Sequence, residues 1–430
     1  MKIFKIIFGF LCLFITQSCS VGTTTNPDEE EPIPTVLTDE IEVYEVDLLH
    51  NNLVLAIENG GNTAYLVDKK GNKHFTWDFN SNLGNDLELL PDGRVLGIFK
   101  VENPDITFGG YGGIIKIINP DGSIDWEFIY SSNNFIAHHD VEMLPNGNIL
   151  FLASERIEMA TAVQFGALAN EDIFIEKLVE VNTESNNIVW EWSSWNHIVQ
   201  DINNSLDNFG NIAEFPELIN INYNLPTKPF VMHANGIDYD IEKDIIYMSV
   251  NAYSEIWVID HSTTSAEAAT SNGGNYNKGG NLLYRFGNPT TYNNSMGNRL
   301  FHSVHFPNLL ENETSSDGNL LVYSNGTDIQ QSAVFEIELP ETLDLIANTD
   351  NEPIIVWDFT SPDMFSAIIS GAIRLSNGNT LICEGDYGYW EITPNGEIAW
   401  KYNGIGSQKF WRGYAYDLDD ESLLNLGLIF

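Results

Sequence analysis

The sequence predicts an all-β fold, and within that class a six-bladed β-propeller, from three observations. Short apolar segments alternate with polar residues at a period of two, the segments are broken by Asn-Gly or Asp-Gly turns, and almost no stretch shows helical periodicity. A strand-turn-strand unit also recurs along the chain, and radial repetition of such units is how an all-β chain buries its sheet faces without long exposed edges.

The chain of 430 residues begins MKIFKIIFGFLCLFITQSCS, with Lys2 and Lys5 ahead of an apolar run that ends in small and polar residues before Cys19. This is the pattern of an export signal. A cysteine directly after it resembles the lipobox of bacterial lipoproteins, which implies a lipoprotein-type signal peptide over 1–18 and a diacylated Cys19. The polar, acidic, proline-bearing segment 19–40 reads as a flexible tether, and 41–430 as the folded domain. The expected location is the bacterial cell envelope, on the periplasmic or the surface side of the outer membrane. With Cys12 in the leader and Cys19 lipidated, Cys383 is left alone, so a disulfide framework is excluded. The formal net charge of −42 argues against nucleic acid as a partner. Small anions are not excluded, because charges farther than ~8 Å are largely screened at physiological salt.

One half of the repeat is a glycine turn followed by a strand: LPDGRVLGIF, LPNGNILFLA, SDGNLLVYSN and LSNGNTLICE. The other half is a strand, a turn and a strand closing on an aromatic residue. The units end near Trp77, Trp126, Trp190, Phe286, Trp357 and Trp400, which gives six blades from about residue 41 onward. Segment 41–49 and the C-terminal WRGYAYDLDDESLLNLGLIF are both candidates for closing the ring.

Of nine histidines, five fall at one position of the repeat, just ahead of the innermost strand, where side chains surround one mouth of the central channel. They are His138 and His139 in HHDVEML, His233 in HANGIDY, and His302 or His305 in FHSVHFP. His50, His74, His197 and His261 lie elsewhere in the pattern. A ring of imidazoles suits either a metal or an anion. No carboxylate or cysteine shows ligand spacing, so the expectation is no metal and no cofactor. A neutral imidazole can attack an electrophile directly while its neighbours donate to developing negative charge.

The ordered stretches HHDVEMLPNGNIL, HANGIDYDIEKDIIYMSV, SEIWVIDHST, LLYRFGNPTTY, NRLFHSVHFPNLL, GNLLVYSNG, AIRLSNGNTLICEGDYGYWEITPNGEIAWKY and FWRGYAYDLD are similar to the bacterial arylsulfate sulfotransferase family, the type independent of PAPS. The resemblance implies transfer of a sulfuryl group from a phenolic sulfate ester to a phenol through a sulfohistidine, with no diffusible cofactor. It points to His305 as nucleophile and to His138 or His139, His233 and Asn235 as substrate-binding residues. The family's arginine, eighteen residues after the H-x-N histidine, is replaced here by Asn251, whose amide makes weaker, neutral bonds to sulfate oxygens. Arg285, Arg299 and Arg374 are candidates to supply that charge, and Tyr253, Trp257, Phe301 and Phe306 to flank an aromatic ring. A rival from another class is a tethered, non-catalytic propeller that binds a sulfated or other anionic ligand.

Overall fold

The computed structural model describes residues 36–311, 316–404 and 409–430. The leader, Cys19 and nearly all of the tether segment lie outside the described residues. The fold is all-β and propeller-like. Three sheets have four strands each, one has five, one has eight, and a parallel pair of two-residue strands forms a sixth. The eight-stranded sheet is two antiparallel runs of four, joined strand to strand by a parallel bridge between Asn85 and His139 and flanked by isolated bridges at Tyr111–His138 and Ser131–Ile136.

The glycine turns work as their chemistry requires. In Leu144–Asn148 the Leu144 N–H donates to Asn148 O (2.9 Å) and the Gly147 N–H to Leu144 O (2.8 Å), with Gly147 at φ +81°. Asn146 Oδ1 accepts from the Asn148 N–H at 2.9 Å, so the side chain templates its own turn. Leu375–Asn379 repeats the arrangement with Gly378 at φ +86°. Only glycine takes that φ without steric cost, which fixes hairpin register.

The strand next to the innermost one is buried on both faces and is almost wholly apolar, as in Ile245–Val250 (IIYMSV). Outer strands such as Ile354–Phe359 face water on one side. In four of the units the tryptophan at the end fastens the unit to the next. The indole N–H of Trp126 donates to Asn186 Oδ1 (2.7 Å), that of Trp190 to Thr263 Oγ1 (3.2 Å), that of Trp357 to Pro394 O (3.1 Å) and that of Trp400 to Lys69 O (2.8 Å). Each acceptor belongs to the following unit, and the last contact returns from the end of the chain to its beginning.

Both chain ends close the ring. Phe410–Asp417 pairs antiparallel with Asn52–Glu58 and becomes the innermost strand of the first sheet, while Ile41–Tyr44 pairs with Ile398–Asn403 as an outer strand of the last. No helix among the described residues is long and apolar enough to cross a membrane.

Candidate functional site

The innermost strands share a device at their starts. Register shifts interrupt the ladders opposite Phe135–Met143, within Ala234–Asp240 and within Val304–Leu309. A bulge of this kind bends a strand and re-aims the side chain at the bend. At this position His139 (φ 55°), His233 (φ 52°), Asn85 (φ 120°) and Ser370 (φ 89°) all have left-handed backbone. That conformation costs on the order of 1–3 kcal/mol at a non-glycine residue. For His139 the backbone is held in place by its N–H donating to Gly110 O at 3.0 Å.

The re-aimed side chains converge. The rings of His139 and His233 lie 5.0 Å apart at 73°, and those of His138 and His139 5.1 Å apart at 88°. Trp411, on the closing strand, joins His139 (5.6 Å) to His305 (6.1 Å). Asn251 sits against His305, with Nδ2 donating to Val304 O at 3.2 Å and 3.5 Å from His305 Nδ1. All six residues expected from the sequence are therefore neighbours, but two face protein. His138 is fully buried, with Nε2 on Glu176 Oε2 (2.8 Å) and Nδ1 on His139 Nδ1 (2.8 Å). Asn235, also fully buried, donates from Nδ2 to Val304 O (3.0 Å) and accepts at Oδ1 from Ser249 Oγ (2.6 Å). Expected on the substrate, both have polar atoms bonded to protein, His138 to Glu176 and His139, and Asn235 to Val304 O and Ser249.

The protonation state of His305 follows from its surroundings. Nδ2 of Asn325 donates to two carbonyls, Ser366 O and Ile369 O, each at 2.9 Å. Carbonyls only accept, so the amide cannot flip and Oδ1 faces His305 Nδ1 at 2.5 Å. That oxygen needs a donor, so Nδ1 carries the proton and Nε2 keeps its lone pair. Burial, reinforced by His233 and Arg412, pushes the His305 pKa down to about 3 despite the Asn325 contact, so the ring is neutral at pH 7. His233 is lowered to about 4, mainly by burial, and His139 falls well below its usual value by burial and the adjacent imidazoles. The ring nitrogens of His233 take no partner among the described residues.

The other candidates are committed elsewhere. His302 pairs with Asp328 (2.7 Å), His50 with Asp417 (2.6 Å), His74 with Asp68 (2.9 Å), and His261 with Asp244 (2.7 Å) and Glu180 (3.1 Å). His197 is fixed by Asn281 and Ala268 O. Arg285 is buried in an ion pair with Glu255, Arg374 pairs with Glu336, and Arg299 bonds Phe301 O and Ser254. Tyr253, Trp257 and Phe301 are fully buried packing residues, and Phe306 lies under the Arg412 guanidinium at 4.0 Å.

The guanidinium nearest the site is Arg412, on the closing strand. It bonds Asp140 (2.9 Å) and Asn235 O (2.8 Å), and lies 3.4 Å from Asp86. The aromatic wall is Phe108, with its ring 5.2 Å from His138 and 5.8 Å from His233, and packed at 4.5 Å, tilted by 35°, on Phe230. Neither residue was singled out by sequence pattern. A charged residue inside an apolar strand, as Glu176 is in IFIEKLVEV and Arg412 in FWRGYAY, is the signal that would have found the buried polar groups. Among the described residues no group of three or more His, Cys, Asp or Glu is arranged to hold a metal ion.

Among solved structures, the chain is similar to a protein of Bacteroides fragilis NCTC 9343 described as a 6-phosphogluconolactonase. The two share 12% identity at a TM-score of 0.44, over 90% of this chain and 100% of that one. It is also similar to the WD40 domain of Toxoplasma gondii coronin, with 8% identity and a TM-score of 0.40 over 88% of this chain and 74% of that one. At these TM-scores the likenesses carry no argument about function. No curated protein matches the chain. The model of the family described as arylsulfotransferase (ASST) matches residues 42–408, so the chain belongs to the arylsulfotransferase family.

Proposed function

We propose that this chain moves a sulfuryl group from a phenolic sulfate ester to a phenolic acceptor through a sulfohistidine on His305. The scaffold is read as six blades, with the eight-stranded sheet counted as two. The observation that carries the reading is the bare Nε2 of a neutral, buried His305, whose other nitrogen is fixed by an amide that cannot turn. The lone pair attacks sulfur as the bond from sulfur to the aryl oxygen breaks, and the phenolate departs. An acceptor phenol then takes the group from nitrogen. Sulfuryl transfer resembles phosphoryl transfer in its loose transition state, so the protein's part is alignment and charge stabilisation around three equatorial oxygens. His233 and Asn251 are the groups beside His305 available to those oxygens, and the Phe108–Phe230 pair offers an apolar face to the aryl ring.

Incubation with 4-nitrophenyl sulfate tests this. The expected result is release of 4-nitrophenol and a sulfuryl label on His305, with both lost in His305→Ala, because no second nucleophile stands at the same place. The amide at position 251 favours one rival, a propeller that binds an anionic ligand without turnover; tight binding with neither phenol release nor label would establish that instead.

We also propose that Cys19 is diacylated and holds the protein at the cell envelope, from the leader pattern and the acidic segment after it. Native protein should partition into detergent and the Cys19→Ala form should be soluble. A membrane-bound Cys19→Ala form would mean that another element anchors the chain.

A further inference from the structure

Glu176, His138 and His139 form a hydrogen-bonded line with a definite direction. Oε1 of Glu176 accepts from the Ala234 N–H at 3.1 Å, and Oε2 lies 2.8 Å from His138 Nε2. A carboxylate accepts at both oxygens, so His138 Nε2 carries a proton and donates. If that is the only proton on the His138 ring, Nδ1 is bare and can only accept. The contact of 2.8 Å with His139 Nδ1 therefore requires His139 to donate from that nitrogen. Burial keeps the His139 ring neutral, and its single proton is now placed. The remaining nitrogen, Nε2, is left with a lone pair.

The backbone of a glycine, with no side chain, faces that nitrogen. Gly110, at φ +85°, lies in front of it, and a Cβ added there would stand 2.1 Å from Nε2. Next to it, Gly109 has open space where a side chain would be. A bare nitrogen repels sulfate oxygens and accepts hydroxyl protons, so it is the wrong group to hold the sulfuryl anion and the right one to take a proton from a phenol.

We infer that His139 is the general base for the acceptor hydroxyl, with Glu176 and His138 as positioning residues that set its tautomer. The inference rests on the sulfotransferase reading above. As the acceptor oxygen bonds to sulfur and the bond from sulfur to His305 Nε2 breaks, the phenol proton passes to His139 Nε2. The charge is shared down the line as the His139 Nδ1 proton shifts toward His138 and the His138 Nε2 proton toward Glu176. His139 Nε2 then gives the proton up to solvent, restoring the neutral ring, and the phenolate released from the donor leaves ionised or takes its proton from solvent, so protons balance over the two half-reactions.

Glu176→Gln provides a sharp test. The Ala234 N–H can only donate, so the Gln carbonyl must face it and the NH2 group must face His138. His138 Nε2 is then forced to accept, its Nδ1 to donate, and His139 ends with its proton on Nε2, where it can no longer act as base. The probe is single-turnover transfer from protein preloaded with sulfuryl on His305, using phenol and pentafluorophenol as acceptors at pH 8. Transfer to phenol, which must lose its proton, should fall about 10²-fold, and transfer to the already ionised pentafluorophenol by less than about threefold. An equal loss with both acceptors, or none with either, overturns the inference.

A second readout does not depend on activity. In ¹⁵N-histidine-labelled wild-type protein, His139 should show a protonated Nδ1 and a bare Nε2, with the two exchanged in Glu176→Gln. A protonated Nε2 in the wild type also overturns the inference. If the wild type never takes up sulfuryl, it is the sulfotransferase reading that fails, and the ¹⁵N spectrum still decides the assignment of His139.

Discussion

On the proposed reading, Asn251 takes the position at which the family resemblance expects a guanidinium for the equatorial oxygens of the transferring group. Its Nδ2 already donates to Val304 O, and the nearby His305 Nδ1 carries its own proton, so the amide adds little positive potential at the reacting sulfur. Arg412 supplies a fixed charge near the rings of His139 and His305, but its fork is spent on Asp140, Asp86 and Asn235 O. Charge-assisted hydrogen bonds are roughly twice as strong as neutral ones, and a single preorganised donor is worth about 10²–10³ in rate. Asn251→Arg should therefore raise kcat on simple aryl sulfates at least about tenfold, part of that full donor effect. Steady-state kinetics on 4-nitrophenyl sulfate checks it. A slower variant would mean that the amide is fitted to a different substrate. Arg285 and Arg299 would not then be the alternative source of charge, because Glu255 holds the first and Phe301 O and Ser254 the second.

At the scale of strands and turns, what could be read from the sequence was what local chemistry dictates. A glycine in a left-handed turn and an Asn or Asp that accepts from its own backbone belong to four or five consecutive residues, so LPNGN and LSNGN declared their hairpins directly. The aromatic endings of the repeats were legible too, although their role of donating to the following unit needed coordinates. Ring closure was legible only as two candidate segments, not as a pairing. The pairing of Asn52–Glu58 with Phe410–Asp417 joins segments more than 350 residues apart, and nothing in either names its partner. The site divides along the same line. His139, His233 and His305 stood out because unrelated repeats placed the same residue type at one bulge. Glu176 and Asn325 did not, since the charge inside IFIEKLVEV marks a buried polar group without naming its partner and SNG reads as a turn. Their function lies in contacts across 38 and 20 residues, which no local pattern encodes.

Across the whole molecule, the buried titratable groups set how stability depends on pH. Burial raises the pKa of Glu88 and Asp238 to about 7 and that of Glu352 to about 8, with Asp140 adding to the first, Glu311 to the second, and Glu255 and Asp350 to the third. Glu88 and Asp238 line a cavity of about 170 Å³ with Asp140, Glu142 and Arg412. Unfolded carboxyls titrate near ~4, so from there up to pH 7–8 the folded state holds protons that the unfolded chain has released. Stability from this source is fully present below the unfolded value and is lost as pH rises through the folded ones. The site histidines have the opposite sign. Their folded values lie below the unfolded ~6.5, so they cost stability only as pH falls under that value. Between pH 7 and 8.5 the site histidines are nearly silent, and His261, raised against the effect of burial by Glu180 and Asp244, loses stability in the same direction as the carboxyls. Tm should therefore fall by about 2 °C or more over that interval, given how a Tm responds to a loss on the order of 1 kcal/mol. Scanning calorimetry in 1 M NaCl isolates the effect, since a screening length of ~3 Å suppresses the repulsion of the −42 chain while leaving buried groups unscreened. Replacing Glu88 and Glu352 by Gln and Asp238 by Asn should flatten the profile, because the substituted amides have no proton to lose. A wild-type Tm that stays level or rises from pH 7 to 8.5 would show that these carboxyls are ionised in the native protein.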